Sequence, residues 1–138
     1  MLTLWPSILL KNAPFPNADE PLRVFVIDWE FSHLSDLAFE LGQMFAEMLE
    51  LKHFKGIDAG VWLIGAFMKG YGKLGKDMAF RTATHFGAHL ICLGSRVPGW
   101  GSKEQIEELV EVGRGFVVSG WEKDEKFFED TPLKCLFA

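Results

Sequence analysis

The chain has only two cysteines, Cys92 and Cys135, in 138 residues. Two thiols far apart in apolar surroundings exclude a disulfide framework and point to a reducing, cytoplasmic compartment. Positive charge is also scarce: 14 Lys and Arg stand against 19 Asp and Glu, a formal net charge of −5. The basic residues are scattered rather than clustered, which excludes nucleic acid as a partner, since phosphate binding needs a basic patch. No apolar run approaches the length of a membrane span, and the start, Met1-Leu-Thr-Leu-Trp-Pro6, lacks the form of a secretory signal. A membrane partner is therefore not expected. Gly-rich phosphate loops are missing too. Gly70-Tyr-Gly72 and Gly99-Trp-Gly101 do not link a strand to a helix, and no Gly-x-Ser-x-Gly elbow occurs.

Aromatic and aliphatic residues are plentiful. The hydrophobic share is 49%, with 13 Phe and 5 Trp, enough for one domain with a substantial core. An aromatic load this high implies either a dense core or apolar surface that packs against another segment. Ile8-Leu9-Leu10 and Arg23-Val-Phe-Val-Ile-Asp-Trp-Glu30 read as strands around a Pro-rich connection, Lys11 to Leu22. From Leu37 the apolar period becomes helical. Leu37, Leu41, Met44, Phe45 and Met48 form one face of a helix to Leu51, with Glu40, Gln43, Glu47 and Glu50 on the other. A second helix starts with Asp58 as cap and turns Val61, Ile64, Phe67 and Met68 inward. A third, capped by Asp77, runs to Gly94 and is apolar on most sides, as a central helix would be. Ser102 and Gln105 have the spacing of a capping box. They open a fourth helix, with Leu109 and Phe116 inward and Glu104, Glu107, Glu108 and Glu111 outward. A short helix over Lys123 to Glu129 precedes an apolar tail.

Asp28 and Glu30 are the first candidate site. Two carboxylates where an apolar strand ends suit a hard cation such as Mg²⁺, although a strand-end Asp also commonly just caps a turn. His33 stands three residues further on and adds either a ligand, a base or an ordinary loop side chain. His85, His89 and Cys92, at i, i+4 and i+7 of one helix, share a face as zinc ligands would. No fourth ligand is evident, and core histidines are far commoner in an apolar helix.

Val26-Ile-Asp-Trp-Glu-Phe31, followed by Ala38-Phe-Glu-Leu-Gly42 and an amphipathic helix, resembles the aminoglycoside phosphotransferase family and its choline kinase-like relatives. In that family an Ile-Asp-(Trp/Phe)-(Glu/Asp) motif takes the place of the protein-kinase Asp-Phe-Gly, and its Asp holds Mg²⁺ on the nucleotide phosphates. The resemblance implies that Asp28 is the magnesium ligand of Mg-ATP, that Glu30 is a further cofactor contact, and that Glu40 has a structural role. The family usually has Asp where Glu40 stands, anchoring the catalytic loop. Leu4-Trp-Pro-Ser-Ile-Leu-Leu10 corresponds to the end of the family's catalytic loop and the strand after it. The family's His-Gly-Asp is replaced by Met1-Leu2-Thr3, and its metal-binding Asn by nothing between Ser7 and Ile8. No catalytic residue is therefore intact.

The resemblance spans nearly the whole chain but only the second half of the family's domain. It implies a mainly α chain: residues 1–138 form one partial domain, the helical C-terminal lobe of the protein-kinase-like fold, with a short two-stranded β-hairpin near the N-terminus. The implied function is ATP-dependent phosphorylation of a hydroxyl on a small molecule, truncated and weakly active or inactive in this chain. Two rivals stand beside it. One is a pseudokinase-type binding fragment that forms a homo-oligomer or meets a partner chain through exposed apolar surface. The other is a different metal-dependent phosphoester enzyme built on Asp28, Glu30 and His33.

Overall fold

The computed structural model describes residues 8–10, 24–26 and 36–138, in two units, 1–35 and 36–138. In the first unit β1 (Ile8–Leu10) pairs antiparallel with β2 (Val24–Val26), with Ile8 opposite Val26 and Leu10 opposite Val24. The connection that would make these two strands the expected hairpin lies outside the described residues. Asp28, Glu30 and His33 lie outside the described residues.

The second unit is helical. Its elements are α1 (Leu37–Lys55), α2 (Ala59–Tyr71), α3 (Lys76–Cys92), a 3₁₀ turn (Gly94–Arg96), α4 (Lys103–Glu122) and two further 3₁₀ turns, Glu125–Asp130 and Lys134–Leu136. No helix among the described residues is long and apolar enough to cross a membrane. α3 is the central element, packed most extensively against α4 and α1. Its apolar character follows from that position: Ala79, Phe80, Ala83, Phe86 and Leu90 are all buried.

Small residues set how closely these helices approach. A Cβ on Gly42 would lie 2.7 Å from His85 Cβ and 2.8 Å from both Phe86 N and Thr82 O, so α1 and α3 touch backbone to backbone there. Gly113 of α4 has Gly87 O only 2.8 Å from where its own Cβ would be. Around this seam the phenylalanines make a continuous cluster. Phe86 meets Phe116 at 4.6 Å between ring centroids, Phe116 meets Phe127 at 5.3 Å, and Phe128 stacks on Phe137 at 4.6 Å. Edge and offset geometries of this kind add to area burial. Much of the aromatic load is therefore core.

Several helix limits differ from the sequence expectation. α1 continues one turn past Leu51 and stops at Gly56, which is left-handed (φ 67°). The Gly56 and Ile57 amides there close on the Lys52 and Leu51 carbonyls. α3 starts after Gly75, so Asp77 lies inside the first turn. There it favours the helix dipole and pairs with Lys123 at 2.8 Å instead of capping. Asp58 sits at the N-cap of α2, but its side chain makes no cap bond because it pairs with Lys52. The short helix expected over Lys123 to Glu129 is a 3₁₀ turn, since Lys123 is itself left-handed (φ 57°) and ends α4. Ser102 and Gln105 form the expected capping box.

Candidate functional site

The segment that follows the Asp28 stretch enters α1 through Asp36. Its side chain accepts from the Ala38 amide at 2.9 Å, the N-cap bond of α1. Its other oxygen accepts from Arg81 Nη2 of α3 at 2.5 Å. The Ala38 amide, with the Arg81 guanidinium second, holds the Asp36 carboxyl below the ordinary carboxylate range. Three residues on, the Phe39 ring meets His85 edge-on at 5.4 Å. Together with the Gly42 approach, these contacts fix the start of α1 on the side of α3. Glu40 is half-buried in this same stretch, and its Oε1 is buried with no hydrogen-bond partner.

Glu40, Gln43, Glu47 and Glu50 share one stripe of α1, and the sequence places that stripe in solvent. The structure corrects this: Gln43 and Glu50 are each only 3% exposed. Gln43 Nε2 donates to Glu47 Oε1 at 2.9 Å. Burial pushes the Glu47 carboxyl up, while the Gln43 bond acts against the shift. The Glu50 carboxyl is pushed up to about 8, first by burial and then by the charge of Glu47. His89 of α3 faces it, with Nε2 3.6 Å from Glu50 Oε1. That separation is beyond a hydrogen bond. Burial drives the imidazole down to about 4, so at neutral pH the proton of this pair resides on Glu50 and no ion pair forms.

The face shared by His85, His89 and Cys92 is thereby divided. His85 packs on Phe39, His89 faces Glu50, and Cys92 is exposed rather than in apolar surroundings. Among the described residues no three His, Cys, Asp or Glu side chains stand together as a metal ion would require. The sequence shows beside Glu50 only that the apolar Phe54 stands four residues further along the same stripe, and Phe54 too is buried.

Two open grooves flank the bundle. One of about 590 Å³ runs between α3 and α4, past Arg81, His85, Trp121 and Lys123. It borders the α1 entry through Arg81 and His85. The other, of about 730 Å³, lies between α2 and residues 130–135, beside Trp62. Both volumes fall in the range of small-molecule sites. Trp62 and Trp121 are 70% and 82% exposed.

No family model and no solved structure matches the chain. Two curated proteins do. Phosphotransferase FrzJ of Cladobotryum sp is 34% identical over 119 residues, 86% of this chain and 31% of the relative. The 4-hydroxytryptamine kinase of Psilocybe cyanescens is 26% identical over 115 residues, 82% of this chain and 31% of the relative. The chain thus spans about a third of the length of these relatives. Two relatives named for phosphoryl transfer, each aligned with more than four fifths of this chain, support a phosphotransferase family for it.

Proposed function

We propose that this chain is the helical lobe of an ATP-dependent small-molecule kinase of the aminoglycoside phosphotransferase type. The observation that carries the reading is the 34% identity with a phosphotransferase over 86% of the chain. The mainly helical unit from Asp36 onward is consistent with it. Asp28 and Glu30 are hard oxygen donors two residues apart, a donor set that suits Mg²⁺. Bound there, the ion would neutralise phosphate charge on ATP. The protein's own part is positional. Asp36, Arg81 and Gly42 hold the start of α1, eight residues beyond Asp28 in sequence, against α3. Glu40 takes its structural role in that stretch. The acceptor is a hydroxyl on a small molecule, and the name of the 26% identical relative suggests an aryl hydroxyl.

Transfer is proposed of the whole kinase, since the relatives carry about two thirds of their length outside the matched region. Phosphoryl transfer depends on a full set of positioned groups. A thermal shift with Mg-ATP that disappears in Asp28→Asn is expected. No shift in the unaltered chain, or an equal shift in the variant, would reject the nucleotide reading.

A second reading is favoured by the exposure of Trp62 and Trp121. In it the same lobe serves as a binding fragment and pairs through those faces with a second chain. Concentration-dependent association in sedimentation, unaffected by Mg-ATP, distinguishes it.

A further inference from the structure

Residues 93–101 join α3 to α4 and are held at two points. At the far end, Lys55 Nζ donates to Trp100 O at 3.2 Å, and Phe54 meets the Trp100 ring edge-on at 5.8 Å. At the near end, Glu50 fills the space beside Gly94 so closely that a Cβ on that glycine would collide with its carboxyl. Leu109 of α4 closes the other side of Gly94. The Glu50 carboxyl is thus enclosed by α1, α3 and the 3₁₀ turn, with its Oε1 buried and without a hydrogen-bond partner.

The charged and titratable groups around it are few. On its own helix the nearest is Glu47, an acid whose charge opposes ionisation of Glu50. From α3 comes His89, neutral in this setting. The charged residue of the 3₁₀ turn, Arg96, is exposed and forms no ion pair with Glu50. From α4 the neighbour is apolar Leu109. Among the described residues no cation stands ready to compensate a carboxylate at this place, and an uncompensated buried charge is strongly disfavoured.

We propose that the protonated Glu50 carboxyl is a pH-sensitive latch that keeps the turn 93–101 docked on α1 and α3. In its neutral form the carboxyl fits between Gly94 and His89. Once the proton leaves for solvent, the carboxylate regains hydration only if the turn lifts away from Gly94. The near end then opens, while Trp100 remains tied to Phe54 and Lys55. The inference is independent of the kinase reading, because it concerns only residues 36–138.

Hydrogen exchange of the full chain, corrected for intrinsic rates, tests it. Amides of residues 94–97 are expected to lose protection before those of α3 as pH rises from about 4.5 towards about 8. Their opening constant should grow roughly tenfold per pH unit within that window and level off above it, as linkage to one proton requires. Glu50→Gln, which keeps the shape and cannot ionise, should abolish that pH dependence. Unchanged protection across this range, or the same dependence in Glu50→Gln, would overturn the latch. Should the variant not fold, the carboxyl carbon of Glu50 in the unaltered chain decides by NMR. Titration near 8 supports the latch, and titration in the ordinary carboxylate range of about 4 overturns it.

Discussion

Arg81 reaches from the second turn of α3 to the N-cap of α1, where its guanidinium meets Asp36 across 45 residues of sequence. The same carboxylate that starts α1 therefore also fastens it to the central helix. A cap bond and an inter-helix bond converge on one side chain, so the two can be separated by mutation. Asp36→Ala removes both, whereas Arg81→Ala removes only the second. The expected result is a lower melting temperature in both variants, with the larger drop in Asp36→Ala and an intermediate one in Asp36→Asn, which keeps a cap acceptor. Because the Asp36 carboxyl titrates below its ordinary range, its contribution is present above that range and fades as pH falls through the lowered value.

The Gly42 contact predicts a steep asymmetry between two glycines. Gly42→Ala puts a methyl group 2.7–2.8 Å from α3 atoms, two of them backbone, and should cost about 1–3 kcal/mol as overpacking. Gly65→Ala in α2 meets nothing within 4 Å and should stabilise by up to about 1 kcal/mol through helix propensity. Urea denaturation midpoints of the two variants measure the difference.

In the phenylalanine cluster, Phe86 is fully buried against Phe116. Phe86→Ala is expected to destabilise by about 3–5 kcal/mol, a large part of a small domain's stability. Circular dichroism during chemical denaturation should show the loss.

The pH profile of stability follows from two buried groups of opposite sign. His89 is neutral down to about 4 in the fold and to its ordinary 6.5 when unfolded, so the unfolded chain binds the extra proton between those values. Stability from His89 therefore falls as pH drops from about 6.5 to 4. Glu50 keeps its proton up to about 8 in the fold but only to 4.5 when unfolded, so its contribution falls as pH rises through that window. The slopes oppose each other between about 4.5 and 6.5, leaving a plateau there and a decline above it. Denaturation midpoints across this range check the shape, and His89→Gln should remove the acid-side loss.

Much of this architecture was legible from local rules. Ser102 and Gln105 announced the start of α4 because a capping box is a local pattern, and Asp77 to Gly94 read as central because its apolar residues ring the helix. Glu50 and Gln43 did not read as buried, since helical periodicity assigns acids to solvent and carries no knowledge of what packs beside them. Asp77 misled for a related reason: its partner, Lys123, is 46 residues away and invisible to a capping rule. The division of His85, His89 and Cys92 among three environments depends likewise on α1, which brings Phe39 to one histidine and Glu50 to another. Of the residues the family resemblance assigns to the site, Glu40 falls among the described residues, half-buried at the start of α1.

In the proposed nucleotide site Asp28 holds the metal. Calorimetric titration of Mg-ATP into the unaltered chain and into Asp28→Asn tests it most directly. Magnesium-dependent binding is expected for the first and at least a tenfold loss, about 1.4 kcal/mol, for the second. Absence of binding to the unaltered chain, or equal affinity in Asp28→Asn, would contradict it.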